Sequence, residues 1–158
     1  MKKLLFVCLG NICRSPAAEG VFLDLIKRKG LVENFQVDSA GTGSWHIGNP
    51  ADLRMRKAAN RRGIELPSVA RQIVLEDLFT YDLILTMDNE NFKTVITLAK
   101  QSEDKVKAIV KPIMSYSKNT KLLEVPDPYY GGEGGFDKVL DLLEDACEGL
   151  ISELISDN

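Results

Sequence analysis

The chain has 158 residues, 44% of them hydrophobic and 27% charged, with three Cys and a single His. That length and mixture suit one domain, residues 1–158, with its own core, and exclude a wholly disordered chain. The net charge of −3 hides a split: residues 1–79 carry 12 Lys and Arg against 8 Asp and Glu, residues 80–158 carry 8 against 15, and all seven arginines lie at or before Arg71.

The basic front half invites an anionic ligand. With 7% aromatics and no RNA- or DNA-binding motif, nucleic acid is not the expected partner. No apolar run approaches the ~20 residues of a membrane helix, and the run ending at Cys8 leads into Gly10-Asn11-Ile12 without a cleavage site. Three thiols then suit a reducing cytosol, so a cytoplasmic location is expected. One histidine excludes a site built on two His ligands, and no metal or cofactor is expected.

Lys3–Leu9 reads as a strand buried on both faces. A helix follows, with Ser15 as N-cap, Pro16 in its first position, and Ala18, Val21, Phe22, Leu25 and Ile26 on the inner stripe. Glu19, Asp24, Lys27 and Arg28 fall off that stripe, and Gly30 stops the helix. Phe35–Gly41 is a second strand; a loop carrying Trp45 and His46 leads through Pro50 to a helix near Ala51–Arg62, closed by Gly63. Tyr81–Met87 is a third strand, and Asp88 caps a helix with Phe92, Val95, Ile96 and Ala99 inside. Lys105–Val110 is a weaker fourth strand. After a loop through Pro126 and Pro128, the last helix lines up Phe136, Val139, Leu140, Leu143, Cys147, Leu150, Ile151 and Leu154. Alternation of this kind predicts an α/β fold: a three-layer α/β/α arrangement on a four-stranded parallel sheet. Ligands bind beyond the carboxyl ends of such strands, which directs attention to Cys8.

Cys8-Leu9-Gly10-Asn11-Ile12-Cys13-Arg14-Ser15 joins the first strand to the first helix. A loop of this length can curl so that backbone N–H groups converge on a tetrahedral oxyanion, reinforced by the helix dipole. Gly10 supplies room and access to positive φ, and Asn11 tolerates left-handed geometry. Arg14 can grip two phosphoryl oxygens, and Cys8 would lie beneath the phosphorus with its thiolate favoured by Arg14 and the dipole. The segment predicts a phosphate-binding nucleophile loop spanning Leu9, Gly10, Asn11, Ile12, Cys13, Arg14 and Ser15. No Walker-type Gly-x4-Gly-Lys-Ser/Thr occurs, and Gly41-Thr42-Gly43 meets His46 where a dinucleotide fingerprint needs glycine. Asp127, between Pro126 and Pro128, reads either as a turn residue or as the proton donor that a leaving oxygen needs.

Val7 to Pro16, together with Asp38-Ser39-Ala40-Gly41-Thr42, Ala70-Arg71-Gln72, Thr86-Met87-Asp88 and Val125-Pro126-Asp127-Pro128-Tyr129, is similar to the low-molecular-weight protein tyrosine phosphatases over almost the whole chain. That resemblance implies Cys8 as nucleophile, Arg14 as phosphate clamp, Ser15 as the thiolate's hydrogen-bond partner, Asn11 as loop organiser and Asp127 as general acid. The implied activity is hydrolysis of phosphotyrosine and aryl phosphate monoesters through a cysteinyl phosphate, on tyrosine-phosphorylated proteins; a monomer is expected, though no residue pattern reads out the oligomeric state.

Trp45, Tyr129 and Tyr130 become candidate walls for a substrate ring, with His46 at the rim. Cys13 is either a loop filler or a reversible disulfide partner for Cys8, and Cys147 is core. Many members of the family carry His at the position of Ser68, where it supports the loop; the sequence leaves open whether Ser68 makes a shorter version of that contact. A thiol-dependent arsenate reductase is a competing reading, weakened because no cysteine lies between Cys13 and Cys147. A non-catalytic phosphotyrosine binder or redox sensor is another, opposed by the intact Cys8, Arg14 and Asp127 set.

Overall fold

A computed structural model describes residues 1–132 and 134–156, the side chain of Tyr130 excepted. Four parallel strands, β1 (Lys2–Cys8), β2 (Phe35–Gly41), β3 (Leu83–Thr86) and β4 (Ile109–Pro112), form one sheet in the order β2-β1-β3-β4. β1 is central. Cys8 pairs with Gly41 on one side and Val7 with Thr86 on the other, so three strands end together at the same edge.

Because side chains alternate across a strand, the continuous apolar run of β1 feeds two cores. Leu4, Phe6 and Cys8 face one layer, packed by α1 (Arg14–Arg28), α2 (Leu53–Asn60) and α5 (Gly135–Ser156). Leu5 and Val7 face the other, packed by α3 (Asp77–Thr80) and α4 (Asn89–Lys100). This is the expected three-layer α/β/α arrangement. The predicted stripe of α5 is buried from Phe136 to Ile151, with Leu154 half-buried.

Several local expectations are corrected. The first helix starts at Arg14 with Cys13 at its N-cap and no side-chain cap, because the hydroxyl of Ser15 is spent on Cys8 and Asn11 instead. Glu19 is not on the outer face of α1; it is buried at 8% exposure. α2 is shorter than Ala51–Arg62, since Asp52 caps it by accepting from the N–H groups of Arg54 and Met55. β3 loses the ends of Tyr81–Met87, and α3 ahead of it was not anticipated. The fourth strand shares only Ile109 and Val110 with the expected Lys105–Val110: the N–H groups of Lys107 and Ala108 donate to the carbonyl of Leu78 on α3, and pairing with β3 runs from Ile109 to Pro112. On α4 only Val95 of the four inner candidates is fully buried; Phe92, Ile96 and Ala99 are half-buried. Asp88 caps α4 as expected, in a reciprocal arrangement with Asn91.

Candidate active site

The loop between β1 and α1 takes its shape from its carbonyls. Those of Cys8, Leu9, Ile12 and Cys13 accept from the N–H groups of Thr42, Gly43, Asp52 and Ala17 at 2.9, 2.9, 2.7 and 3.1 Å. In a trans peptide the next residue's N–H points the opposite way. The amides of Leu9, Gly10, Cys13 and Arg14 are therefore aimed away from these outer partners, toward the hollow of the loop, at the N-terminus of α1. The one left-handed residue is Asn11, at φ 57°; Gly10 does not use positive φ, and its place is set by close approach, since a Cβ there would lie 3.0 Å from the His46 ring.

Cys8 is 2% exposed at the floor of this hollow. Its Sγ lies 3.0 Å from Ser15 Oγ and receives the Asn11 N–H at 3.3 Å. Asn11 Nδ2 donates to both Ser15 Oγ (2.8 Å) and Ser39 Oγ (3.0 Å), while its Oδ1 accepts from the backbone N–H of Arg71 (3.0 Å). Ser39 Oγ in turn donates to Glu19 at 2.6 Å. Ser68 is half-buried and, among the described residues, makes no hydrogen bond to Asn11, which answers the question the sequence left open: Ser68 does not take over the contact of the family's His.

Arg14 is 3% exposed and held from the far side. Its Nη1 donates to Asp88 Oδ2 at 2.7 Å and to the Val125 carbonyl at 3.0 Å, and its Nη2 lies 3.7 Å from Asp127 Oδ2. Burial works against its charge, but Cys8 and the two aspartates carry its pKa upward on balance. Asp127 is extended, as its flanking prolines dictate, and caps a short turn at Pro128–Tyr130 by accepting from the Tyr129 N–H at 3.0 Å.

Cys8, Arg14 and Asp127 share a cavity of about 370 Å³ with Leu9, Gly10, Ile12 and Cys13 at its base and Trp45, His46 and Tyr129 at its mouth. Trp45 is 71% exposed, which makes it rim rather than wall. Tyr129 stands between the His46 ring, 6.5 Å away, and the Arg54 guanidinium, 5.3 Å from its centroid. The expectation for Tyr130 rests on a side chain outside the described residues. Cys13 is buried, and burial, with Asp52 and Cys8 adding, pushes its thiol up, so it stays protonated. Cys147 is fully buried among α5 residues, as expected. Sequence reasoning gave no site role to Arg54, Asp88, Ser39 or Glu19; Asp88 was read only as a cap, and Ser39 and Asp88 stood in the stretches that carry the family resemblance.

Residues 3–158 match the model of the low molecular weight phosphotyrosine protein phosphatase family. The human low molecular weight phosphotyrosine protein phosphatase is 41% identical over 96% of this chain and 95% of its own. The crystal structure of a protein tyrosine phosphatase from Entamoeba histolytica superposes with a TM-score of 0.91 at 46% identity, covering 99% of both chains. The Drosophila arginine phosphatase superposes with a TM-score of 0.94 at 30% identity over 100% of both.

Proposed function

The chain belongs to the low molecular weight phosphotyrosine protein phosphatase family, and from that membership we propose that it cleaves phosphotyrosine esters with Cys8, Arg14 and Asp127 as its working residues. The Cys8 thiolate attacks phosphorus in line with the ester bond, forming an S–P bond as the P–O bond breaks. Arg14 and the inward amides of the loop hold the three equatorial oxygens. Asp127 gives its proton to the departing phenol oxygen, then takes one from the water that hydrolyses the cysteinyl phosphate, releasing phosphate and restoring the thiolate.

The observation that most supports this reading is a convergence: the sulfur that lies 3.0 Å from Ser15 Oγ and accepts from the Asn11 N–H opens into the same cavity as a guanidinium whose Nη2 is 3.7 Å from Asp127. Positive charge on the phosphate comes from Arg14 and backbone dipoles, so metal independence is part of the proposal. So are a monomeric state, a cytoplasmic location, for which three unpaired thiols speak, and a protective disulfide between Cys8 and Cys13. Nothing favours the arsenate reductase reading, whose relay would need a further accessible thiol where Cys147 is buried.

Phosphotyrosine is preferred because Tyr129 offers a half-exposed ring at the mouth. Phosphate release from matched phosphotyrosine, phosphoserine and phosphoarginine peptides tests this. We expect the phosphotyrosine peptide to turn over fastest; faster turnover of phosphoarginine would move the chain's specificity toward that of its Drosophila structural relative.

A further inference from the structure

Glu19 lies on α1 one turn beyond Ser15, at 8% exposure, and forms no ion pair among the described residues. A buried carboxylate without a cation against it is costly, so its place in the helix calls for a use. Its short contact is Ser39 Oγ, at 2.6 Å.

The hydrogens along the chain of contacts can be accounted for one by one. The Arg71 N–H occupies Asn11 Oδ1, which fixes the amide so that Nδ2 faces the two serines. Each serine oxygen accepts one Nδ2 hydrogen, at 2.8 Å for Ser15 and 3.0 Å for Ser39. Ser39 must then send its own hydrogen elsewhere, and Glu19 is there to accept it. Ser15, with its oxygen likewise occupied, has its hydrogen free for Cys8 Sγ at 3.0 Å; the competing Ala40 carbonyl is farther, at 3.4 Å. The Ser39 hydroxyl therefore points one way only while Glu19 remains, and Asn11 is held from both sides, by Arg71 at Oδ1 and by the Ser39 oxygen at Nδ2.

We propose that Glu19 is a positioning residue for Cys8, its carboxylate orienting Ser39 and Asn11 so that Ser15 donates to the nucleophilic sulfur. The proposal rests on the phosphatase reading, in which that sulfur is the nucleophile. Ser68 takes no part in this string, so the carboxylate acts on it through Ser39 alone. The charge itself is adjustable: burial pushes the Glu19 carboxyl up to about 7, against the Ser39 hydrogen bond, with Asp38 adding to the rise and Arg71 opposing it. Once protonated, the carboxyl accepts weakly and competes as a donor, loosening the Asn11 link.

The test is the pH profile of Cys8 alkylation by iodoacetamide, localised by peptide fragmentation, in wild type, Glu19→Met, Glu19→Gln and Ser39→Ala. Removing a negative charge near a thiolate would, by electrostatics alone, lower the alkylation midpoint. Loss of the aimed Ser15 hydrogen raises it, so the sign separates the two effects. We expect a rise of about one pH unit in Glu19→Met and a smaller rise in Glu19→Gln, whose amide oxygen can still accept. Ser39→Ala should also raise the midpoint, with no further rise on adding Glu19→Met. On p-nitrophenyl phosphate kcat should fall more than KM rises. A midpoint unchanged or lowered in Glu19→Met overturns the proposal; if that variant fails to fold, the same result in Glu19→Gln does so. A wild type inert toward aryl phosphates would instead sink the phosphatase reading, while the alkylation comparison would still be readable.

Discussion

Arg14 and Asp88 meet at 2.7 Å, and the carboxylate that holds the guanidinium is the one that caps α4 through the Asn91 N–H. Asp88 stands just past β3, so one residue ties the phosphate clamp to a helix on the opposite layer of the sheet. Arg14 is therefore aimed before any ligand arrives, which is what electrostatic stabilisation requires.

Asp88→Asn should separate these two duties. Asparagine is as good an N-cap as aspartate, but it gives the guanidinium a neutral partner in place of a charge. We expect kcat/KM on p-nitrophenyl phosphate to fall by about tenfold or more, with some loss of thermal stability, because the buried guanidinium keeps only Asp127 as a charged partner. Asp88→Ala should lose the same activity and also about 1 kcal/mol of stability through the cap. Equal stability for the two variants would show that the cap contributes nothing.

The acid role of Asp127 has a signature in the leaving group. Nitrophenolate departs readily without a proton, whereas phenolate does not. Asp127→Ala should therefore slow phenyl phosphate by about 10²–10⁴-fold and p-nitrophenyl phosphate much less. Equal losses on both esters would remove Asp127 from that role.

Burial of Glu19 also predicts a stability effect whose sign can be worked out. Its carboxyl titrates at 4.5 ordinarily and at about 7 here. Between those values the folded state binds more protons than the unfolded one, so the group makes stability fall as pH rises, by about 3 kcal/mol in all. Glu19→Gln stays neutral throughout. Its stability relative to wild type, from urea melts at pH 5 and pH 8, should improve by an amount of that order at the higher pH. A pH-independent difference would mean that Glu19 is not held near neutrality.

The nucleophile loop was legible in the sequence because its parts are local: strand, glycine, arginine and helix start fall within a dozen residues. Asp127 was half-legible. Its prolines predicted an extended backbone, but its approach to Arg14 spans more than a hundred residues, and only the family resemblance connected the two. Asp88 was read correctly as a cap, yet its second partner lies 74 residues back. Glu19 was misplaced because a charged side chain at helical spacing ordinarily marks the solvent face; here Ser39, 20 residues on, draws it inward. The fourth strand slipped for a similar reason, since α3 intercepted the amides that sequence pattern assigned to the sheet.

The central claim is that Cys8 carries the phosphoryl group between the two halves of the reaction. Rapid quench of the Asp127→Ala enzyme with p-nitrophenyl phosphate, followed by mass spectrometry of the peptide spanning Cys8 to Arg14, tests it directly. One phosphoryl group should appear on Cys8 within the first turnover and be absent from Cys8→Ser, which should also be inactive. Turnover by Cys8→Ser, or a phosphoryl group on any other residue, would contradict the account.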